Sequence, residues 1–181
     1  AKTAACTVTV RTNGNGGGSY VPSGPGSSTI TVPVSGDKGT VHVSASVSGT
    51  TATVSKIDTS QIENVIGDNG QASMVEIDFT GLGKTIDTVK LPAAAIKDIA
   101  AKAQNEEVRG LTVKLPEVEI SFDAKALSAI QAQASNQITL TVTPAKPADL
   151  NSRQKEAVGS APVFDLTLRS SSGAITDFRG G

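Results

Sequence analysis

The chain holds one imidazole, His42, and one thiol, Cys6. Nucleophilic catalysis of the Ser–His–acid kind needs a base, an acid that orients it and a nucleophile beside it. His42 lies on the serine-bearing side of the alternating segment Val41-His42-Val43-Ser44-Ala45-Ser46-Val47 and reads as a solvated strand residue. A lone thiol makes neither an internal disulfide nor a thiolate metal site, which takes several ligands. The carboxylates are better spaced. Glu76 with Asp78, and Glu117 with Glu119, would each share the polar face of a strand, and glycoside hydrolysis uses two acids about 5 to 10 Å apart. Sugar sites also want aromatic platforms, and the chain has no Trp, four Phe and one Tyr, the last in a Gly-rich stretch. Both acid pairs are read as wet strand faces.

Two loops resemble ligand-binding motifs and fail on spacing. Asp68-Asn69-Gly70 lacks the further oxygens and distal Glu of a calcium loop, so it is read as a turn. Gly81-Leu82-Gly83-Lys84-Thr85 lacks the upstream glycine of a phosphate-binding loop, which would fall on Asp78. It is read as a hairpin loop between two strands. Thr31, Thr139, Thr141 and Thr143 form Thr-x-Thr rows, which the strand preference of threonine explains. A Lys–Asn or Lys–Asp isopeptide bond would need both partners buried beside an acid, a question for the tertiary structure. No catalytic, cofactor-binding or metal-ligating residue is assigned. The chain is read as a non-enzyme without cofactors.

Composition narrows the partners. With 16 basic and 17 acidic residues in 181, the chain lacks the basic excess of a nucleic-acid binder. Its longest apolar run is far short of a membrane span. It opens at Ala1 without a charged-then-apolar leader and is read as a mature or excised piece. Abundant Thr, Ser, Gly, Ala and Val with few aromatics suit pleated sheets and suggest extracellular spacer material.

The elements follow from periodicity. Thr7-Val8-Thr9-Val10 is a short alternating strand, and Asn13-Gly14-Asn15-Gly16-Gly17-Gly18-Ser19 with Pro22-Ser23-Gly24-Pro25-Gly26 has linker composition. A boundary is placed near Thr29. Residues 1–28 are a terminal strand and linker, of which 12–28 are expected outside the core, and residues 29–181 are one β-rich domain. Cut off from its neighbours, the strand should be mobile or should borrow a sheet edge, because its backbone groups need partners. Period-2 alternation marks strands around Ile30–Val34, Val41–Val47, Ala52–Val54, Val75–Phe79, Ile138–Val142 and Phe164–Leu168. Pro33 suggests an edge or a bulge, and Gly49-Thr50 a hairpin. Phe79, Phe122 and Phe164 fall in the apolar register and are expected in the core. Ser60-Gln61-Ile62-Glu63 fits a capping box at the start of a short helix ended by Gly67, and residues 156–158 a helical turn before Gly159.

An internal repeat organises the rest. Val89-Lys90-Leu91-Pro92-Ala93-Ala94-Ala95-Ile96-Lys97-Asp98-Ile99 aligns without gaps on Ile120-Ser121-Phe122-Asp123-Ala124-Lys125-Ala126-Leu127-Ser128-Ala129-Ile130. Each copy is a strand running into an amphipathic helix, with Pro92 in the first turn of one and Asp123 capping the other. A Leu-Thr-Val or Ile-Thr-Leu strand follows each. Ile96 should match Leu127, and Ile99 should match Ile130. Two copies are too few for a solenoid and fit an α+β domain: a mainly antiparallel sheet with both helices packed on one face.

The order Thr31-Val32-Pro33-Val34-Ser35-Gly36, Val47-Ser48-Gly49-Thr50-Thr51-Ala52-Thr53-Val54, Val89-Lys90-Leu91-Pro92 and Ala157-Val158-Gly159-Ser160-Ala161-Pro162-Val163-Phe164-Asp165-Leu166 resembles a segment of Firmicutes surface proteins. In those proteins the segment precedes C-terminal S-layer-homology repeats. The resemblance spans roughly residues 29–181 and is one of texture and order, without a catalytic motif. It implies an extracellular, cell-surface or wall-associated protein whose wall-binding repeats lie outside this sequence. The expected function is a non-catalytic structural or spacer module whose partners are neighbouring domains of the same chain. The alternative is an adhesion or ligand-binding module for a cell-wall or host-surface ligand.

Overall fold

The computed structural model describes residues 6–10, 28–67, 73–82, 85–146, 150–159 and 162–176. Among these, eleven strands form one sheet: β1 (Cys6–Val10), β2 (Ser28–Ser35), β3 (Thr40–Ser48), β4 (Thr51–Val54), β5 (Met74–Asp78), β6 (Thr88–Pro92), β7 (Gly110–Lys114), β8 (Val118–Asp123), β9 (Gln137–Pro144), β10 (Phe164–Ser170) and β11 (Gly173–Ala174). The helices are α1 (Thr59–Val65), α2 (Ala93–Gln104), α3 (Ala124–Gln133) and α4 (Ser152–Val158). The strand order is β1-β8-β7-β5-β2-β3-β4-β6-β9-β10-β11. Only β4·β6 and β5·β7 are parallel; every other pairing is antiparallel. The class is α+β, as the alternation implied. The Gly/Ser/Pro-rich segment and the Asp68-Asn69-Gly70 turn lie outside the described residues, as do Gly83, Lys84 and Phe178.

The repeat explains how the sheet closes around its helices. Unit one runs β6–α2–β7 and unit two β8–α3–β9. β6 pairs with β9, and β7 with β8, so each unit's first strand pairs with the other's second. The registers correspond: Leu91↔Ile138 in one ladder stands where Phe122↔Leu111 stands in the other, and Val89↔Leu140 where Ile120↔Val113 stands. Four strands separate β7 from β6 in the sheet. Even so, Leu111 and Phe122 from one wing meet Leu91, Leu140 and Leu168 from the other around an apolar void of about 20 Å³. The sheet therefore curls, and α2 and α3 fill its concave side.

Burial follows the repeat. Ile96 and Ile99 on α2, and Leu127 and Ile130 on α3, are all at most 3% exposed. Each contributes about 1.5 to 3 kcal/mol by leaving water. Lys97 on the same helix is exposed. Asp123 caps α3, its carboxylate accepting the Ala126 N–H at 2.8 Å. Pro92 stands one position earlier than expected: it is still the last residue of β6 and the N-cap of α2, with φ −65° and ψ 130°.

Local readings shift elsewhere. The capping box of α1 is formed by Asp58 and Gln61 rather than Ser60 and Glu63, and the Asp58 N–H donates to the Gln61 side chain at 2.9 Å. That register turns Ile62 and Val65 fully inward. Pro33 is not at a sheet edge, since β2 lies between β3 and β5. The β2·β5 ladder covers only Val34↔Ile77 and Ser35↔Glu76, and Pro33 sits just outside it, where a missing donor costs little. The Gly81–Thr85 segment does not close a hairpin. β5 pairs with β2 and β7, whereas β6 pairs with β4 and β9, so this connection links opposite wings. β1 does find an edge, pairing with β8 over five residues in the same sheet as the rest.

The turn between β2 and β3 clasps the end of α1. The Val65 carbonyl accepts the Lys38 N–H at 3.1 Å, and the Gly67 N–H donates to the Asp37 carboxylate at 2.8 Å. The first satisfies a carbonyl that a helix C-terminus leaves orphaned, and the second pairs a backbone N–H just beyond the helix. The Gly67 N–H, with help from the Ser73 hydroxyl, holds the Asp37 carboxyl below its ordinary range. A carboxylate depressed in the folded state stabilises at pH values above its unfolded pKa, and the contribution fades as pH falls through the folded pKa. Asp37→Ala is thus expected to lower the melting temperature modestly at neutral pH. Melts recorded down to strongly acidic pH should show the gap between variant and parent closing. A gap that stayed constant or widened in acid would rule out the carboxylate as its source.

Candidate functional site

The polar side of the sheet carries most of the residues singled out from sequence, and it keeps them apart. His42 is exposed on β3. Glu76 forms an ion pair with Lys114 across the parallel β5·β7 ladder. Asp78 instead accepts the Thr80 N–H at 2.7 Å and the Thr80 hydroxyl at 2.6 Å, so it organises the turn after β5. Glu119 stands opposite Lys114 in the β7·β8 ladder. Glu117 does not share a strand face with it: it lies exposed in the turn before β8. Lys102 and Lys114 each pair with glutamate and keep side-chain exposures of 18%. No lysine is buried among the described residues. No three His, Cys, Asp or Glu side chains gather there to hold a metal.

Hydroxyls are arrayed more regularly than the Thr-x-Thr rows indicated. Ser48, Thr51, Thr88, Thr141 and Thr167 stand in register across β3, β4, β6, β9 and β10. Strand spacing puts such neighbours about 4.8 Å apart, and the Thr88 hydroxyl donates to that of Thr141 at 3.3 Å. This row shows how fully the sheet separates a hydroxyl face from the packed one.

An open groove of about 140 Å³ lies where the two wings approach each other. One wall is the β7–β8 turn, with Leu115, Glu117 and Val118; the other is the end of β9 and the start of β10, with Val142, Pro144 and Phe164. Ile86 and Asp87, leading into β6, complete it. Leu115, Val118, Val142 and Ile86 are buried and make an apolar floor. Backbone bonds fix this frame: Leu115 N–H to the Val118 carbonyl at 2.8 Å, Val142 N–H to the Asp87 carbonyl at 2.8 Å, and Asp87 N–H to the Thr50 carbonyl at 3.2 Å.

Phe164 corrects its assignment to the core. It is half-buried and lines this groove, because β10 is near the sheet edge and its burial deepens only toward Leu168. The groove's acids are Asp87, half-buried, and Glu117, exposed. An apolar floor below two carboxylates suits a small amphipathic cation. Sequence reasoning missed the groove because its residues come from four separate stretches, brought together by the curl.

No protein-family model, curated protein or solved structure matches the chain.

Proposed function

We propose that the chain is a non-catalytic structural module of a secreted or cell-surface bacterial protein, holding neighbouring domains of the same chain apart. The observation that carries this reading is the use the sheet makes of its two faces. Its packed face is filled by the chain's own α2 and α3, and its other face carries in-register hydroxyls such as the Ser48–Thr167 row. A sheet covered from within on one side and hydrated on the other suits a spacer. β1 and β11 lie at opposite edges, so tension entering at one end would cross the whole ladder. The low-aromatic composition and the resemblance to segments preceding S-layer-homology repeats favour the extracellular setting. No helix among the described residues is long and apolar enough to cross a membrane.

The groove favours a second reading, adhesion to a wall or host-surface ligand bearing a cationic group on an apolar body. A pull-down on purified cell-wall material separates the two. The structural reading expects no saturable retention. Saturable, salt-resistant retention in the low micromolar range, lost in Asp87→Asn/Glu117→Gln, would replace it with the adhesion reading.

A further inference from the structure

β10 is paired along its whole length on one side and only at its end on the other. All seven of its residues register with β9, from Phe164↔Pro144 to Ser170↔Ile138. On the outer side β11 meets only Ser170 and Arg169, and the Ile175 N–H donates to the Leu168 carbonyl at 2.8 Å. In an antiparallel ladder both backbone groups of a residue point to one side, and the side alternates along the strand. Since Leu168 points outward, so do Leu166 and Phe164. Among the described residues, none pairs with the outward N–H and C=O of these two.

This short edge lacks the usual protection. Open edges are blunted by Lys, Pro or a bulge, but the residues from Phe164 to Leu166 include neither Lys nor Pro. Their one charge, Asp165, is exposed on the opposite face. Leu166 and Phe164 pack against the core and stay half-buried. Phe164 is also a wall of the groove, with Pro144 beside it and Glu117 and Val118 on the facing turn. Neither Asp87 nor Glu117 forms an ion pair with a described residue. Free backbone groups, an apolar strip and two uncompensated carboxylates thus meet at one place.

We propose that the outer edge of β10, from Phe164 to Leu166, takes an extended basic peptide segment of a partner protein as an added strand. The proposal rests on the groove as the cation site of the second reading above, and adds what carries the cation. Main-chain hydrogen bonds supply affinity in strand addition, and alternate side chains supply specificity. Peptide residues opposite Leu166 and Phe164 point to the same face as those two side chains. An apolar residue opposite Leu166 widens the apolar strip. A Lys or Arg opposite Phe164 lays its methylene stem on the groove floor and carries its charge to Asp87 and Glu117. Running antiparallel in continuation of β11, the recognised sequence reads apolar–any–basic.

The test titrates the full chain against a fluorescein-labelled, end-blocked peptide, Ser-Val-Thr-Lys-Thr, read by anisotropy. Saturable binding is expected. N-methylation of the valine amide, which faces β10, should weaken it at least about tenfold, whereas N-methylation of the next amide, which faces away, should change it less than about threefold. Glutamate in place of the probe lysine, or Asp87→Asn/Glu117→Gln in the protein, should each cost at least about tenfold. Absence of saturable binding would overturn the proposal, as would follow if the chain's own continuation beyond Thr176 held the edge. Equal binding of the two methylated probes would overturn strand addition; the groove would still be a cation site if the double variant abolished that binding. Binding indifferent to the double variant would overturn both readings. Self-association of the parent chain that the probe disperses would assign the edge to a second copy and overturn the proposal as well.

Discussion

Leu127→Ala is expected to cost about 3 to 5 kcal/mol of unfolding free energy, in the upper part of the range for a buried leucine. Leu127 is fully buried and borders the apolar void where the two wings of the sheet meet α2 and α3. Collapse around the lost methyl groups would require α3 to move relative to both wings. Each wing is held together by its own ladder, β6·β9 in one and β7·β8 in the other, so little relaxation is available. The cavity should therefore persist, stay dry and admit xenon or benzene. Denaturant titrations should show a lower midpoint with an unchanged slope. Lys97→Ala, at an exposed position on α2, should stay within about 0.5 kcal/mol of the parent. A loss below about 1 kcal/mol for Leu127→Ala would mean that the wings do not close on the helices as described.

Gly110→Ala is expected to cost about 3 kcal/mol or more, at the high end for overpacking. A Cβ at Gly110 would be placed into the Phe122 carbonyl oxygen, with the Phe122 carbonyl carbon at 3.0 Å and the Asp123 Cα at 3.1 Å. All three are backbone atoms of β8, so no flexible side chain can yield. Gly110 pairs with Asp123 at the end of the β7·β8 ladder. Displacing β8 there also disturbs the carboxylate that caps α3. Gly81 is the contrasting case, with open space around a built Cβ and no positive φ. Gly81→Ala should be neutral or stabilising by up to about 1 kcal/mol, because it restricts the unfolded chain. Thermal melts of the two variants should move apart, and equal shifts would contradict the close approach at Gly110.

What the sequence determined is whatever depends on side-chain periodicity. The repeat was legible because apolar residues recur at strand spacing and then at helix spacing in both copies. Ile96, Ile99, Leu127 and Ile130 are buried where that spacing puts them. Asp123 was legible as a cap because a short acidic side chain before a helix has a nearby N–H to accept. Capping residues alone did not fix the start of α1. Ser60/Glu63 and Asp58/Gln61 both offer a box, and the one used is the one that buries Ile62 and Val65.

Beyond the hairpin at Gly49-Thr50, which joins β3 to β4, the tertiary structure decided which strands became neighbours. A glycine-rich turn such as Gly81–Thr85 announces a change of direction, yet the chain leaves β5 and enters the opposite wing. The parallel pairs β4·β6 and β5·β7 have no local signature. The groove between the β7–β8 turn and β10, with the half-buried Phe164, exists only because the sheet curls. The physical reason is that backbone hydrogen bonds are the same for nearly every residue type, so a strand's pattern shows which face is buried but not which strand lies beside it. That choice fell to the arrangement that buries the apolar faces of α2 and α3 together, a property of the assembled chain rather than of any segment.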